Sequence, residues 1–395
     1  MAGIKDRVAI IGMGCSKFGE RWEAGHEDLL VESCFEAFDD AGVGPEDIQA
    51  GWLGIQNGPI SGQLLAHALK LDYIPVTRVE NFCATGTDAL RNACYAVAAG
   101  VYDLVLVAGV EKLKDSPYTG LVGGGPAMIN SGVTPPVPPP VQFALAATRY
   151  AYHYGMSIDE LKKGLARISV KNHHNGALNP KAHFQREVTL EQVLNAPIIA
   201  FPLGLFDCCG VSDGSAAAII TRPELTKNFK HKDDYVLVKA ISLAIGHREG
   251  ELEDDFNFVS FTESVKAAEM AYKEAGIKEP FKEIDHAEVH DCFSITENII
   301  YEDLSFCPRG KAKEYVEAGI FDLDGELAVN PDGGLKCFGH PIGASGLRMI
   351  YEVYLQLQGR AGPRQRKNPT LGLTHNLGGR PGSFSCAIGI FGRAS

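Results

Sequence analysis

The sequence has no apolar run long enough to cross a bilayer and no excess of basic residues. A membrane-spanning helix needs about 20 consecutive apolar residues. The N-terminus, MAGIKDRVAIIGMG, enters a β-branched stretch without the basic segment and apolar core of a secretory signal. The formal net charge of −12 argues against nucleic-acid binding, because such proteins carry a basic surface that neutralises phosphates. We therefore predict a cytoplasmic protein without membrane or nucleic-acid partners.

The sequence also lacks the cysteine and histidine spacing of a structural metal site. The ten cysteines include no CxxC that pairs with a second CxxC or with an HxxxH motif, which are the patterns typical of zinc sites. The adjacent Cys208 and Cys209 form a poor chelate, because neighbouring side chains of a strand point to opposite faces. Most cysteines lie in apolar contexts and are predicted to be reduced core residues. We expect no bound metal.

An internal repeat is the most informative feature that is present. ESCFEAFDDAGVGPEDIQAGWLGIQNG aligns with VKAAEMAYKEAGIKEPFKEIDHAEVHDCF when Ala41-Gly42 is set on Ala275-Gly276. Each segment predicts an amphipathic helix, a glycine stop and an apolar strand. CATGTDALR likewise aligns with HPIGASGLR, and DLVLVAGVEK with TLGLTHNLGG. Two copies of one helix–strand–helix–strand unit predict a layered α/β fold.

The repeat also predicts the domain organisation. Residues 1–115 and 206–232 form the N-terminal half, and residues 233–395 form the C-terminal half. Between them, residues 116–205 differ in composition, with glycine-rich and proline-rich stretches followed by helical sequence. A connection this long inside a compact protein is usually functional or disordered. Its helical content predicts an ordered domain over a site.

Cys83 and His340 occupy equivalent positions in the two copies, each where a helix is predicted to start. Unpaired N–H groups and the helix dipole at such a start favour a thiolate. Two copies packed about a pseudo-twofold axis place these helix starts face to face. A thiol beside an imidazole is the arrangement of an activated nucleophile. The alternative is a buried structural cysteine and a helix-capping histidine.

Several ordered motifs carry a family resemblance that covers nearly the whole chain. ENFCATGTDAL, PLGLFDCCGVSDGSAA, HDCFSITE, NPDGGLKCFGHPIGASG and NLGGRPGSFSCAIGIFG resemble the sterol-carrier-protein-2-type thiolases with an HDCF motif. The resemblance implies an α/β thiolase fold of two pseudo-equivalent halves in a five-layer αβαβα arrangement. It also implies an inserted loop domain and a homodimer core.

The same resemblance implies cleavage of a 3-oxoacyl-CoA, with coenzyme A as co-substrate and no permanently bound cofactor. Cys83 takes the acyl group and His340 is its base. Most thiolases have a second cysteine in a C-terminal CxG motif, but this chain has NLG there. Cys292 of the HDCF motif then serves the α-carbon, and His290 and His340 hold the enolate oxygen. The N–H groups of Cys83 and Gly378 form the other oxyanion site.

Contacts to coenzyme A are expected in the loop domain, because the coenzyme lies over that domain in the family. Lys171, Asn172, His173 and Lys181 are the residues we predict for this role, although no phosphate-binding motif singles them out.

Three other functions stay open. A decarboxylating condensing enzyme also uses a cysteine with two histidines, but the chain lacks ACSSS-like and HGTGT-like stretches. A thiolase-like retro-aldolase on CoA esters needs no nucleophilic cysteine, which Cys83 argues against. A non-catalytic lipid-transfer or scaffold subunit does not need the complete set of site residues.

The acyl group is indicated only by general similarity. The chain resembles bacterial HDCF-type thiolases that degrade unusual CoA esters, including benzoylsuccinyl-CoA in the breakdown of aromatic compounds. Such relatives often act with a small zinc-ribbon and OB-fold protein. The resemblance therefore implies such a partner, which would carry the zinc.

Overall fold

The computed structural model describes residues 3–58, 61–115, 137–253 and 255–394. Residues 116–136 of the predicted loop domain, with the glycine-rich stretch and the start of the proline run, lie outside this part. The strands are β1 (Ala9–Cys15), β2 (Ala50–Gly54), β3 (Val76–Val79), β4 (Leu104–Glu111), β5 (Ile198–Ala200), β6 (Leu203–Gly204), β7 (Gly214–Thr221), β8 (Val236–Ile245), β9 (His286–Glu288), β10 (Ala328–Val329), β11 (Leu371–Arg380) and β12 (Ser383–Arg393). The α-helices are α1 (His26–Ala41), α2 (Gln63–Leu69), α3 (Thr85–Ala98), α4 (Pro139–His153), α5 (Ile158–Ala177), α6 (Leu190–Leu194), α7 (Glu249–Leu252), α8 (Thr262–Ala275), α9 (Pro280–Glu283), α10 (Ser294–Asp303), α11 (Ala312–Glu317), α12 (Gly334–Phe338) and α13 (Ile342–Leu357).

The main sheet contains the same strand arrangement twice. Its order is β10-β9-β11-β12-β8-β1-β7-β4-β2-β3. In one half, β2 is parallel to β3 and β4, and β7 is antiparallel to β4 and β1. In the other, β9 is parallel to β10 and β11, and β12 is antiparallel to β11 and β8. Antiparallel pairing of β1 with β8 joins the halves. The repeat predicted from the sequence is thus present in the sheet.

Equivalent helices of the two halves also end alike. Helix α1 ends at Ala41 and α8 ends at Ala275, and the glycine after each has a left-handed backbone, with φ of 74° at Gly42 and 84° at Gly276. Glycine is favoured at this position because a Cβ atom makes positive φ costly. The aligned Ala-Gly pairs therefore mark equivalent helix C-termini in the two halves.

Helices α3 and α13 pack against each other between the two halves of the sheet, while α1 covers β1 and β7 and α8 covers β8 and β12 on the outer faces. This arrangement confirms the five layers. Glycines allow the two central helices to approach closely. A Cβ atom on Gly86 would lie 2.8 Å from the carbonyl oxygen of Gly343, and one on Gly346 would lie 2.5 Å from the amide nitrogen of Thr87.

The segment between β4 and β7 contributes α4, α5, α6 and the small β5–β6 hairpin. Helix α5 packs against α10, α11 and α12 of the second half. The described part of the insertion therefore lies against the elements that follow the HDCF motif. None of the helices in the described ranges is long and apolar enough to span a membrane.

Candidate active site

A tight turn holds Cys83 between β3 and α3. Phe82 has φ of 50°, a left-handed conformation that costs a non-glycine residue about 1–3 kcal/mol. The Thr85 hydroxyl donates to the carbonyl of Phe82 at 2.5 Å and accepts from the amide of Asn81 at 2.9 Å. Helix α3 begins at Thr85, with Ala84 as its N-cap. Cys83 thus lies just before the N-cap of the helix, in a turn that the hydroxyl of Thr85 stabilises.

Three distant segments meet at Cys83. Its sulfur and one ring nitrogen each from His290 and His340 all lie within 4.8 Å of one another. The two imidazole rings are 5.1 Å apart between centroids and nearly perpendicular, at 79°. His290 follows β9, and His340 precedes α13. Both histidines are buried, whereas Cys83 keeps partial exposure. The structure therefore brings together Cys83 and His340, as the repeat predicted.

Hydrogen bonds assign the tautomer of His340. Its Nδ1 lies 2.8 Å from the hydroxyl of Ser345, and that hydroxyl donates to the carbonyl of Pro341 at 2.9 Å. A hydroxyl has a single hydrogen, and we assign it to the bond with Pro341, so that His340 Nδ1 carries a proton and donates it to Ser345. Nε2 then has a free lone pair, and it has no hydrogen-bond partner among the described residues. Sequence reasoning did not identify Ser345. Its position directly after HPIGA, in the first turn of α13, could have indicated a contact with His340.

Burial keeps this imidazole neutral. It lowers the pKa of His340 to about 3, and the buried guanidinium of Arg348 acts in the same direction. Burial also lowers the pKa of His290 well below its usual value, and the neighbouring His340 adds to the effect. His340 is therefore a neutral base with its free nitrogen available, rather than an imidazolium.

The prediction of a thiolate at Cys83 is wrong for the ligand-free protein. Burial raises the pKa of the Cys83 thiol well above its usual value, and the nearby Cys209 adds to the rise. The helix dipole is worth only about 0.3–1 kcal/mol at an exposed helix end, and desolvation of a charged sulfur outweighs it here. The ligand-free site therefore contains a neutral thiol and a neutral imidazole.

This protonation state predicts a specific pH dependence of alkylation. The thiolate is the nucleophile, and its fraction rises about tenfold per pH unit below the pKa of the thiol. We expect the rate of Cys83 modification by iodoacetamide, followed by intact-mass spectrometry, to rise without a plateau between about pH 6 and 9. A rate that is already constant at neutral pH would instead indicate a thiolate–imidazolium pair.

Cys292 lies in the same enclosed region, two residues after His290. Burial raises the pKa of its thiol well above the usual value, and the next cause is the charge on Cys83 when that sulfur ionises. Its sulfur is 3.7 Å from the Thr296 hydroxyl. The carbonyl of Cys292 accepts from the amide of Cys209 at 2.8 Å. Cys292 is thus a protonated thiol close to Cys83, and Cys209 is a third cysteine at this site that sequence reasoning missed.

Asp291 lies between His290 and Cys292 and fixes the position of the segment that carries both side chains. Its carboxylate accepts from the amide of Leu335 at 2.6 Å, from that of Lys336 at 3.1 Å and from the side chain of Asn172 at 2.9 Å. Burial raises its pKa to about 6. The two potential catalytic side chains on either side of Asp291 are therefore held by the start of α12 and by α5.

Gly378 packs directly on the turn that holds Cys83. A Cβ atom at this position of β11 would lie 2.5 Å from the amide nitrogen of Cys83 and 2.6 Å from the Cβ of Phe82. Only glycine permits this approach of two backbones. Two residues earlier, Asn376 accepts a 2.6 Å hydrogen bond from the hydroxyl of Thr87. The residue that replaces the CxG cysteine therefore joins β11 to α3.

The residues predicted to contact coenzyme A make internal contacts instead. Lys171 is buried and pairs with Glu297 at 2.8 Å, and Asn172 donates to the same carboxylate at 2.7 Å. His173 is buried, with Nδ1 at 3.1 Å from a backbone carbonyl, and Lys181 pairs with a carboxylate at 2.5 Å. A buried, paired ammonium cannot reach a phosphate. This placement weighs most strongly against the predicted roles of Lys171 and Asn172.

Both halves of the chain are similar to known protein families. The thiolase N-terminal domain family matches residues 8–224, and the thiolase C-terminal domain-like family matches residues 244–390. The acetyl-CoA acetyltransferase of Methanothermobacter thermautotrophicus is 39% identical over 98% of this chain and 99% of the relative. Sterol carrier protein 2 of Gallus gallus is 34% identical over 94% of this chain and 70% of the relative.

Solved structures show the same fold. The structure titled Ltp2-ChsH2(DUF35) aldolase has a TM-score of 0.84 and 23% identity, covering 99% of this chain and 98% of that chain. Acetyl-CoA acetyltransferase from Syntrophomonas wolfei has a TM-score of 0.71 and 21% identity, covering 99% of this chain and 100% of that chain. The family matches and the full-length sequence relatives together show that the chain belongs to the thiolase superfamily, as a sterol-carrier-protein-2-type thiolase.

Proposed function

We propose that this protein cleaves a 3-oxoacyl-CoA with coenzyme A through an acyl-Cys83 intermediate. The observation that supports it most is the cluster of the Cys83 sulfur and the His290 and His340 nitrogens within 4.8 Å. A thiol beside a neutral, oriented imidazole is suited to nucleophilic acyl transfer. The names of the archaeal relatives, acetyl-CoA acetyltransferases, support the same chemistry.

In the first step, His340 Nε2 takes the Cys83 proton as the sulfur attacks the 3-keto carbon. The Nδ1–H bond to Ser345 keeps the base in the required tautomer. The tetrahedral oxygen is held by the backbone N–H groups of Cys83 and Gly378, which the close packing of these two residues supports. Such donors are each worth roughly 3 kcal/mol in transition-state stabilisation.

The carbon–carbon bond then breaks, leaving an acyl group on Cys83 and an enolate thioester. His290 and His340 hold the enolate oxygen, and Cys292 donates its proton to the α-carbon, which releases an acyl-CoA. The raised pKa of Cys292 suits this role because the thiol is protonated before the step. Incoming coenzyme A gives its thiol proton to the Cys292 thiolate and attacks the acyl thioester. Cys83 leaves and recovers its proton from His340.

The assembly we propose is a homodimer formed through the first half of the sheet. Strand β3 is the last strand on that side, so one of its edges is free within the described residues. Beside it, Tyr73 is fully exposed and Phe82 is 38% exposed. Free strand edges and exposed aromatic side chains favour pairing with another chain. A zinc-ribbon and OB-fold partner is supported only by the two-protein name of the aldolase neighbour.

The test is intact-mass spectrometry after incubation with a panel of 3-oxoacyl-CoAs without free coenzyme A. The panel includes acetoacetyl-CoA and benzoylsuccinyl-CoA, whose thiolysis gives benzoyl-CoA and succinyl-CoA. We expect a mass increase of one acyl group, which subsequent addition of coenzyme A removes. If no panel member leaves an adduct but a β-hydroxyacyl-CoA is cleaved to an aldehyde or ketone, the protein is an aldolase and the proposal fails.

A further inference from the structure

The donors that meet at the nucleophile also form a set of metal ligands. One sulfur and two imidazole nitrogens, from Cys83, His290 and His340, lie within 4.8 Å of one another. Among the residues that the structure describes, no other group of three His, Cys, Asp or Glu donors converges in this way. No spaced metal-binding motif marks this set, because the three residues come from separate segments of the sequence.

Within the part of the chain that the structure describes, two nitrogens of this site lack hydrogen bonds. His340 Nε2 and His290 Nδ1 are both buried without a partner. Buried polar atoms are nearly always paired, so each such atom calls for an explanation. In His340 the opposite nitrogen donates to the Ser345 hydroxyl at 2.8 Å. Metal-binding histidines are typically supported in this way, by a hydrogen bond from the ring nitrogen that does not touch the metal.

We propose that Cys83, His290 and His340 bind a zinc ion, with a fourth coordination position open to water or to the thiol of coenzyme A. Thiolate and imidazole are the ligands that zinc prefers, and three protein ligands with one open position are typical of zinc sites that react with small molecules. A zinc–sulfur bond forms, the thiol proton leaves to solvent, and both imidazoles bind as neutral ligands.

The distances require a small contraction. With zinc–sulfur bonds of about 2.3 Å and zinc–nitrogen bonds of about 2.0–2.1 Å, tetrahedral geometry places donors about 3.5 Å apart. The observed limit is 4.8 Å, so two donors at that limit must approach each other by about 1.3 Å to reach the tetrahedral spacing. Among the described residues, no fourth His, Cys, Asp or Glu donor lies within the same limit, and the Cys292 sulfur is 3.7 Å from the hydroxyl of Thr296.

Zinc in this position inhibits the protein reversibly. The ion occupies the sulfur that attacks and the nitrogen that takes its proton, so acylation stops until a chelator removes the metal. This inference does not depend on the proposed acyl substrate. Metal binding is measured without any CoA ester, and its failure would leave the proposed thiolysis untouched.

The test is competition for zinc between the protein and a chromophoric chelator, with cobalt(II) as a spectroscopic substitute. We expect one ion per chain and the near-ultraviolet absorption of a cobalt–thiolate bond. Cys83→Ser and His340→Gln should each remove the tight site. Ser345→Ala, which removes only the supporting hydrogen bond, should weaken binding by about 10- to 100-fold. Cys208→Ser is the matched control, because it removes a partly exposed cysteine outside the cluster.

Circular dichroism is the control that checks whether each variant is folded. If one is not, the wild-type protein supplies the second measurement, since bound zinc should slow iodoacetamide alkylation of Cys83 by at least about tenfold. The proposal is overturned if Cys83→Ser and His340→Gln retain the ion, if Cys208→Ser loses it, or if zinc binds without protecting Cys83.

Discussion

Replacing Cys83 with serine is expected to lower thiolysis of the 3-oxoacyl-CoA by on the order of 10⁴-fold or more, and to abolish the acyl adduct. Serine has nearly the same volume and fits the same turn. Its hydroxyl is a much weaker acid than a thiol, and the neutral His340, whose pKa is about 3, is too weak a base to activate it. The measurement is the rate of 3-oxoacyl-CoA consumption with coenzyme A present, together with intact mass.

Cys208→Ser is the control for this prediction, because Cys208 is also partly exposed but lies outside the three-residue cluster. It should retain thiolysis close to the wild-type rate. Substantial activity in Cys83→Ser, or an adduct of unchanged mass and yield, would contradict the role of Cys83. In that case one of the alternatives without a nucleophilic cysteine becomes the better hypothesis.

His340→Gln should have the second-largest effect, a loss of about 10²- to 10⁴-fold in kcat/KM. The substitution removes the base that must take the proton of a thiol whose pKa burial has raised. It also removes a donor to the enolate oxygen. Because Cys83 remains, slow acylation should survive and should increase with pH as hydroxide replaces the lost base. Single-turnover acylation measured across a pH series separates this effect from weaker substrate binding.

Ser345→Ala provides a graded comparison with His340→Gln. It keeps the imidazole but removes the hydroxyl that accepts from Nδ1 at 2.8 Å. We expect a smaller loss in kcat than for His340→Gln, with KM nearly unchanged, because the tautomer and ring orientation are less strictly held. Equal losses in both variants, or a change confined to KM, would contradict the assignment of His340 as an oriented base.

The pairing of Cys83 with His340 could be predicted from the sequence because it follows from a repeated pattern. Hydrophobic periodicity and the two Ala-Gly helix stops are local signals, and they reappear in the structure at Gly42 and Gly276. Two copies of one unit packed on each other bring equivalent helix starts together. Because of that symmetry, the long-range contact between Cys83 and His340 could be predicted from local features.

The contacts of α5 could not be predicted in this way. Lys171 and Asn172 look like available polar residues in the sequence, but the fold places them against Glu297 and Asp291. Whether a lysine meets a phosphate or a buried carboxylate depends on which helix packs against it. No local pattern carries that information, so the predicted coenzyme A contacts rested on the position of the domain alone.

The sequence by itself determined the α/β repeat and the family motifs, and it led to the prediction that Cys83 is the nucleophile. Only the tertiary structure decided the protonation states, the tautomer of His340 and the distances among the donor atoms of Cys83, His290 and His340. The physical reason is that desolvation and hydrogen bonding act through space. The charge on Cys83 depends on how completely surrounding segments exclude water, and the free nitrogen of His340 depends on one hydroxyl in the next turn.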